Sequence, residues 1–172
     1  MIKIRKHLQK DIPYRVVWLC NPKVNRFIGE EIGQGTTLAK EKRWFADYLK
    51  DKTKQFFTIC DDDKPIGFMG LSHISRTNKN ADIFIAIGDD KYRGRGIGKT
   101  ALKWLIDYAF KKIKLHKINL GVIKENIPAV KLYKSLGFKI EGEMKDEVCS
   151  NGKYYDSLSM AILITNDINL CM

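Results

Sequence analysis

The segment Arg93-Gly94-Arg95-Gly96-Ile97-Gly98-Lys99-Thr100 holds the densest chemistry in the chain. Glycine at every second position lets the backbone come close to a ligand without side-chain obstruction. The segment follows an apolar stretch and opens a long periodic one. That order places the free N–H groups and positive dipole end of a helix directly behind the glycines. Arg93, Arg95 and Lys99 add charge, so the loop reads as an anion cradle, best suited to a diphosphate. Spacing excludes two familiar loops. A P-loop, G-x-x-x-x-G-K-[ST], would end well at Gly98-Lys99-Thr100 but would need glycine where Arg93 stands. A dinucleotide fingerprint needs G-x-G-x-x-G, whereas Gly94, Gly96 and Gly98 give G-x-G-x-G. An RGG-type RNA segment is weaker still, because only two Arg-Gly steps occur and a helix follows.

The other candidates are fewer. Tyr133 sits on an expected helix beside Val130, Leu132 and Leu136, a setting that suits a core tyrosine as well as a working phenol. Asn126 opens that helix as its cap, with Pro128 in the first turn. Carboxylates occur at Asp82, near the head of an apolar strand, and at Glu30 and Glu31, between the first two helices; solvation alone would explain the last two. Cys20, Cys60, Cys149 and Cys171 form no C-x-x-C pair and no ligand spacing with His7, His73 or His116. They are expected to be small buried hydrophobes and a free tail thiol, and no metal is implied.

The elements that must position these residues follow from periodicity. Residues 2–6 alternate as a strand. Asp11-Ile12-Pro13 opens a helix with Val16, Val17 and Leu19 inward, ending before Asn21-Pro22. A second helix covers 38–50 on a stripe of Leu38, Trp44, Phe45, Tyr48 and Leu49. Strands are expected at 55–60 and 66–72 around Asp61–Pro65, at Ala81–Ile87, and at Ile118–Ile123. The longest helix, 97–113, buries Ile97, Ala101, Leu102, Leu105, Ile106, Ala109 and Phe110. Another helix starts at Asn126 and stops at Gly137. Two final strands, 138–147 and 155–164, flank Ser150-Asn151-Gly152. The result is an α/β (α+β) chain with a mixed sheet, hairpins early and crossovers late.

The length, 172 residues, is that of a single domain spanning 1–172. With 44% apolar and 30% charged residues the chain reads as soluble and globular. No apolar run approaches the ~20 residues of a membrane helix. Met1-Ile2-Lys3-Ile4-Arg5 lacks the apolar region of a signal peptide, so a cytoplasmic location is the default expectation. A net charge of +11 attracts phosphates. The lysines are scattered rather than blocked, so charge alone does not argue for nucleic acid. The tail Asn166–Met172 ends in apolar residues, which leads us to expect a homodimer in which they are covered.

The loop also fits [QR]-x-x-G-x-[GA], and here the sequence resembles the GCN5-related N-acetyltransferases. Lys124–Phe138 looks like that family's second cofactor segment, N-x-x-A-x-x-x-Y-x-x-x-G-F. Glu141-Gly142-Glu143 and Asn151-Gly152-Lys153-Tyr154 resemble the ending of the spermidine and ribosomal-protein acetyltransferases. Trp18, Pro22 and Phe27 are similar to the opening of that subgroup and of amino-sugar acetyltransferases. The resemblance implies a mostly antiparallel mixed sheet flanked by helices, with a splayed strand pair for acetyl-CoA. It puts Ile85, Ala86 and Ile87 along the pantetheine and thioester, with one N–H at the developing oxyanion. It assigns Arg93 to Thr100 to the pyrophosphate, adds Asn126 and Lys134 to the cofactor contacts, and makes Tyr133 the general acid. Asp82 falls where histone-type members carry a glutamate base; being shorter, it would work through water or bind the amine. Glu30, Glu31 and Phe27 fall on the acceptor wall. The implied reaction is acetyl transfer to the primary amine of a small molecule (a polyamine or nucleotide-linked amino sugar) or of a protein N-terminus. A catalytically silent module binding acyl-CoA or nucleic acid is the alternative.

Overall fold

The computed structural model describes residues 1–28 and 34–164, so Glu30, Glu31 and the apolar tail lie outside the described residues. The chain builds one seven-stranded sheet in the order β1-β2-β3-β4-β5-β7-β6. β1 (Ile2–Lys6) is followed by three helices, α1 (Ile12–Leu19), the single turn α2 (Pro22–Asn25) and α3 (Leu38–Tyr48). Then come β2 (Gln55–Asp61), β3 (Lys64–Ser75) and β4 (Asn80–Ile87), which form an antiparallel meander with β1. α4 (Ile97–Asp107) crosses over to β5 (Lys117–Ile123), which runs parallel to β4; α5 (Ile127–Ser135) leads to the long hairpin of β6 (Lys139–Ser150) and β7 (Lys153–Leu163). Asn151 and Gly152 both take positive φ (51° and 75°) in the two-residue turn of that hairpin, the conformation that matches strand twist.

One feature of the sheet governs the rest. β4 and β5 pair over Asn80–Lys117, Ala81–Ile118 and Asp82–Asn119 only. Beyond Asp82 the two strands part, and Ile83–Ile87 and Leu120–Ile123 face each other across a wedge. β5 keeps its other edge on β7 throughout, so the wedge opens without leaving β5 unsupported.

Period-two alternation sorts β4 between two cores. Ile83 packs with Met69, Leu71, Leu102, Leu105, Ile118 and Met160 under α4. Phe84 and Ala86 face the other way, toward Trp18, Leu19, Val24 and Phe68 under α1 and α2. All seven residues expected inward on α4 and its extension are buried, although the last turn, Tyr108–Lys112, widens to a π-helix.

The front helices depart from expectation. Val17 on α1 is exposed, as are Leu38 and Leu49 at the ends of α3. Their expected places are taken by Trp18 and by the charged pair Arg15 and Glu41, both buried and hydrogen-bonded to each other. The Arg15 guanidinium lies 3.8 Å over the Trp44 ring and 4.7 Å from that of Phe68, so aromatic faces replace part of its hydration. Of the cysteines, Cys60 is buried as expected, whereas Cys20 and Cys149 are exposed thiols. Among the described residues no helix is long and apolar enough to cross a membrane.

Candidate active site

The wedge widens into a cavity of about 560 Å³, walled by β4, β5, the glycine loop and α5. At its mouth, Gly94 and Gly96 take φ of 72° and 78°, left-handed values that side chains resist. A Cβ on either would touch nothing within 4 Å. The glycines therefore serve backbone conformation and open space for a ligand, and packing does not require them.

Gly96 is also the N-cap of α4 and offers no side chain to its first amides. α1 likewise receives no side-chain cap, but the other three helices do. Thr37 caps α3, Asn21 caps α2, and Asn126 caps α5 by accepting from the Ala129 amide. Only from Thr100 does α4 return a bond, to the Gly96 carbonyl. The amides of Ile97, Gly98 and Lys99 are left to a ligand at the positive end of the helix dipole.

The loop is rigidly held. The Arg93 side chain turns back: Nε donates to the Ile87 carbonyl (3.0 Å), Nη1 to the Lys23 carbonyl (3.4 Å), and Nη2 pairs with Asp90 (2.9 Å). Asp89 accepts from the Lys91 amide and pairs with Lys64; Asp90 pairs with Lys23 and accepts from Asn21. Arg93 thus fastens the loop to β4 and α2, and the exposed cations near the glycines are Arg95 and Lys99. Trp18 seats on Gly88 so closely that a Cβ there would overlap the indole, which ties α1 to the same loop.

Deep in the cavity stands Tyr133, 7% exposed, its ring edge-on to Phe138. Burial pushes its phenol up to about 12. Its hydroxyl has no hydrogen-bond partner among the described residues, although the ring lines the cavity. The ring thus packs in the core, while the hydroxyl makes no hydrogen bond that the fold depends on among the described residues.

The cavity unites most of the residues singled out from sequence: Phe27, Ile85, Ala86, Ile87, Arg93, Gly94, Gly96, Ile97, Gly98, Lys99, Asn126 and Tyr133. Arg95, Thr100 and Lys134 are exposed nearby but outside its lining, and Thr100 Oγ1 is turned onto the Gly96 carbonyl. Asp82 stands at the apex of the wedge, outside the lining, bonded to His73 at 2.8 Å. Sequence reasoning passed over Phe84, Tyr92, Gly121 and Leu132, which also line the cavity. Gly121 carried a readable signal: an isolated glycine within a strand marks a close approach or a gap.

A backbone wedge, an anion cradle at its mouth and a dry phenol at its base define a protein that binds an acyl-coenzyme A and acts on its thioester. Comparison with known proteins gives the family. The model of the acetyltransferase (GNAT) domain matches residues 4–159, and the chain belongs to that family. It is 29% identical to the spermidine N(1)-acetyltransferase of Escherichia coli over 161 residues, 94% of this chain and 85% of that protein. It is 34% identical to the Vibrio cholerae spermidine N(1)-acetyltransferase over 123 residues, 71% of this chain and 70% of that protein. The crystal structure of spermidine N-acetyltransferase from Vibrio cholerae in complex with CoA and spermine superposes with a TM-score of 0.88 at 28% identity, covering 94% and 95% of the two chains. The protein is an acetyl-CoA-dependent N-acetyltransferase.

Proposed function

We propose that residues 1–172 work as a single domain that acetylates a primary amine of a polyamine. The observation that carries the chemistry is the wedge between β4 and β5, bounded by the amide cradle of α4 and the Tyr133 hydroxyl. The polyamine class rests on the relatives, which act on spermidine.

Acetyl-CoA supplies an activated acyl carbon, and the chain's own groups do the rest. The free amides of Ile97, Gly98 and Lys99, with Arg95 and Lys99 as counter-charges, suit its pyrophosphate. The unpaired edge of β4 at Ile85–Ile87 suits the pantetheine arm and offers an N–H to charge developing on the carbonyl oxygen. Asn126 and Lys134 complete the assigned contacts. Tyr133 keeps its proton until sulfur departs. A thiol is normally ~1.5 pKa units more acidic than a phenol, so the transfer costs about 2 kcal/mol between unperturbed groups, and the burial that raises Tyr133 adds to that cost.

The acceptor must lose a proton first. An amine of pKa ~10.4 costs ~4–5 kcal/mol to neutralise at pH 7. Asp82 supplies a carboxylate at the wedge apex for that side of the reaction. The described cavity wall carries Arg93 and Lys99 and no carboxylate; the family resemblance assigns the trailing ammonium groups of a polyamine to Glu30 and Glu31, with Phe27 against the aliphatic chain.

The test is a thiol-release assay over spermidine, spermine, a nucleotide-linked amino sugar and a peptide with a free N-terminus. We expect the polyamines to lead, and Glu30→Gln with Glu31→Gln to raise their KM at unchanged acetyl-CoA affinity. Preference for the amino sugar or peptide would contradict the polyamine reading. Calorimetric binding of acetyl-CoA with no thiol release for any amine would point to the silent binding module.

A further inference from the structure

The hairpin between β3 and β4 carries an irregularity that the reaction described so far does not use. Ser72 pairs with Asp82 and Ser75 with Asn80, so His73 and Ile74 together stand opposite Ala81 alone. This is a β-bulge, a device that re-aims a side chain. Ile74 stays in the core, its amide bonded to the Thr53 carbonyl. His73 takes a φ of 50°, a left-handed value uncommon for any residue but glycine. Packing does not hold it there, because its side chain is 77% exposed. What the conformation does achieve is contact: Nδ1 lies 2.8 Å from Asp82 Oδ2.

A carboxylate only accepts hydrogen bonds, so Nδ1 carries the proton and donates it. Nε2 is then the basic nitrogen, and it has no partner among the described residues. A carboxylate fixing one imidazole nitrogen so that the other serves as a base is the arrangement of the hydrolase triads. Its location fits the need. Asp82 is the last β4 residue paired to β5, and it shares the front face of β4 with Phe84, a cavity residue roughly 7 Å further along the strand.

We propose that His73 is the general base that takes the proton of the attacking amine, and that Asp82 is a positioning residue acting through it. The inference rests on the amine-acetylation reading and assigns that reaction's missing base. The proton moves from the acceptor ammonium to Nε2 and leaves to solvent; the amine lone pair then forms the N–C bond as the C–S bond breaks, Tyr133 protonates the sulfur, and the second proton lost from the acetylated nitrogen restores the Tyr133 phenol.

The test uses His73→Gly and His73→Asn, both residue types that accept φ near 50°, so folding is preserved. At pH 8, with a polyamine that supports turnover of the parent protein, both variants should lose about 10²-fold or more in kcat, within the usual range of a positioned base. Their acetyl-CoA affinity and Tm should stay unchanged. Free imidazole should restore a measurable part of the rate to His73→Gly, which leaves room for it. Asp82→Ala should reduce the parent strongly but His73→Gly little further, as expected of groups acting as one unit. Rates within about threefold of the parent, or a loss that imidazole does not restore, would overturn the proposal. If the parent releases thiol with no amine at all, the functional reading fails and the base assignment with it, an outcome distinct from a parent that turns over and a His73 variant that matches it.

Discussion

The two faces of the sheet are stabilised in opposite ways. Behind it, α4 and its π-helical extension lay Ala101, Leu102, Leu105 and Ala109, all fully buried, on Met69, Leu71, Ile118 and Met160. In front, α1 and α3 cover charged and polar groups. Asp11 is fully buried and receives paired hydrogen bonds from Arg5 (2.6 and 2.7 Å), one from the Leu8 amide and one from the Thr58 hydroxyl. His7 Nδ1 meets the same hydroxyl at 2.8 Å, and its Nε2 has no hydrogen-bond partner among the described residues. The glycine loop and α5 rest on the aliphatic layer, and the proposed function sets the coenzyme on that side and the acceptor toward the polar one. A uniform apolar wall suits a co-substrate held by backbone amides; recognition of an amine needs side chains with charge.

The contrast makes separable predictions. The largest effect belongs to the back: Leu105→Ala should cost about 2–5 kcal/mol by chemical denaturation, equally at every pH from 5 to 8, because only packing is lost. The front should instead respond to pH. Burial, reinforced by Arg15 and Arg5 and opposed by Asp11, lowers His7 to about 4 from the ordinary histidine value near 6.5. The folded state thus favours neutral His7, and the unfolded chain binds its proton more readily. Stability should be full above pH ~6.5 and fall by roughly 3 kcal/mol as pH drops to 4. For Asp11, burial opposes ionisation, but the Arg5, Leu8 and Thr58 hydrogen bonds outweigh it and hold the carboxyl below its ordinary range. Its contribution should vanish at still lower pH. Flat stability between pH 7 and 4.5 would erase the distinction between the faces. A third effect concerns the loop: Gly96→Asp should weaken acetyl-CoA binding by ~2 kcal/mol, about 30-fold by calorimetry, through like-charge repulsion at the amide cradle.

The same division explains what the sequence revealed. The back layer was legible residue by residue, because aliphatic spacing and burial coincide along α4. So were the glycine loop and the Asn126–Tyr133 face as segments, each read from positions close together in the chain, and the fold gathers both around one cavity. The front layer misled the pattern. Periodicity assigns apolar residues inward, yet Arg15 and Glu41 are buried as a pair while Val17, Leu38 and Leu49 face solvent. The contact between His73 and Asp82 was hidden for another reason: it depends on one extra residue in the β3–β4 register, and spacing along the chain does not show where a bulge falls. Arg93 fitted its motif by type, but only the folded loop reveals that its guanidinium fastens Ile87 and Lys23 rather than facing the cradle.

The most direct test of the central claim, an acetyl transfer completed by a phenol at the base of a backbone wedge, is single-turnover thiol release by Tyr133→Phe. The ring and its contact with Phe138 remain, and the hydroxyl removed has no partner among the described residues, so Tm and acetyl-CoA affinity should hold. The rate of the chemical step should fall by roughly 10²–10⁴-fold, the range for a positioned acid. A rate within about threefold of the parent protein, with binding and stability intact, would contradict the account.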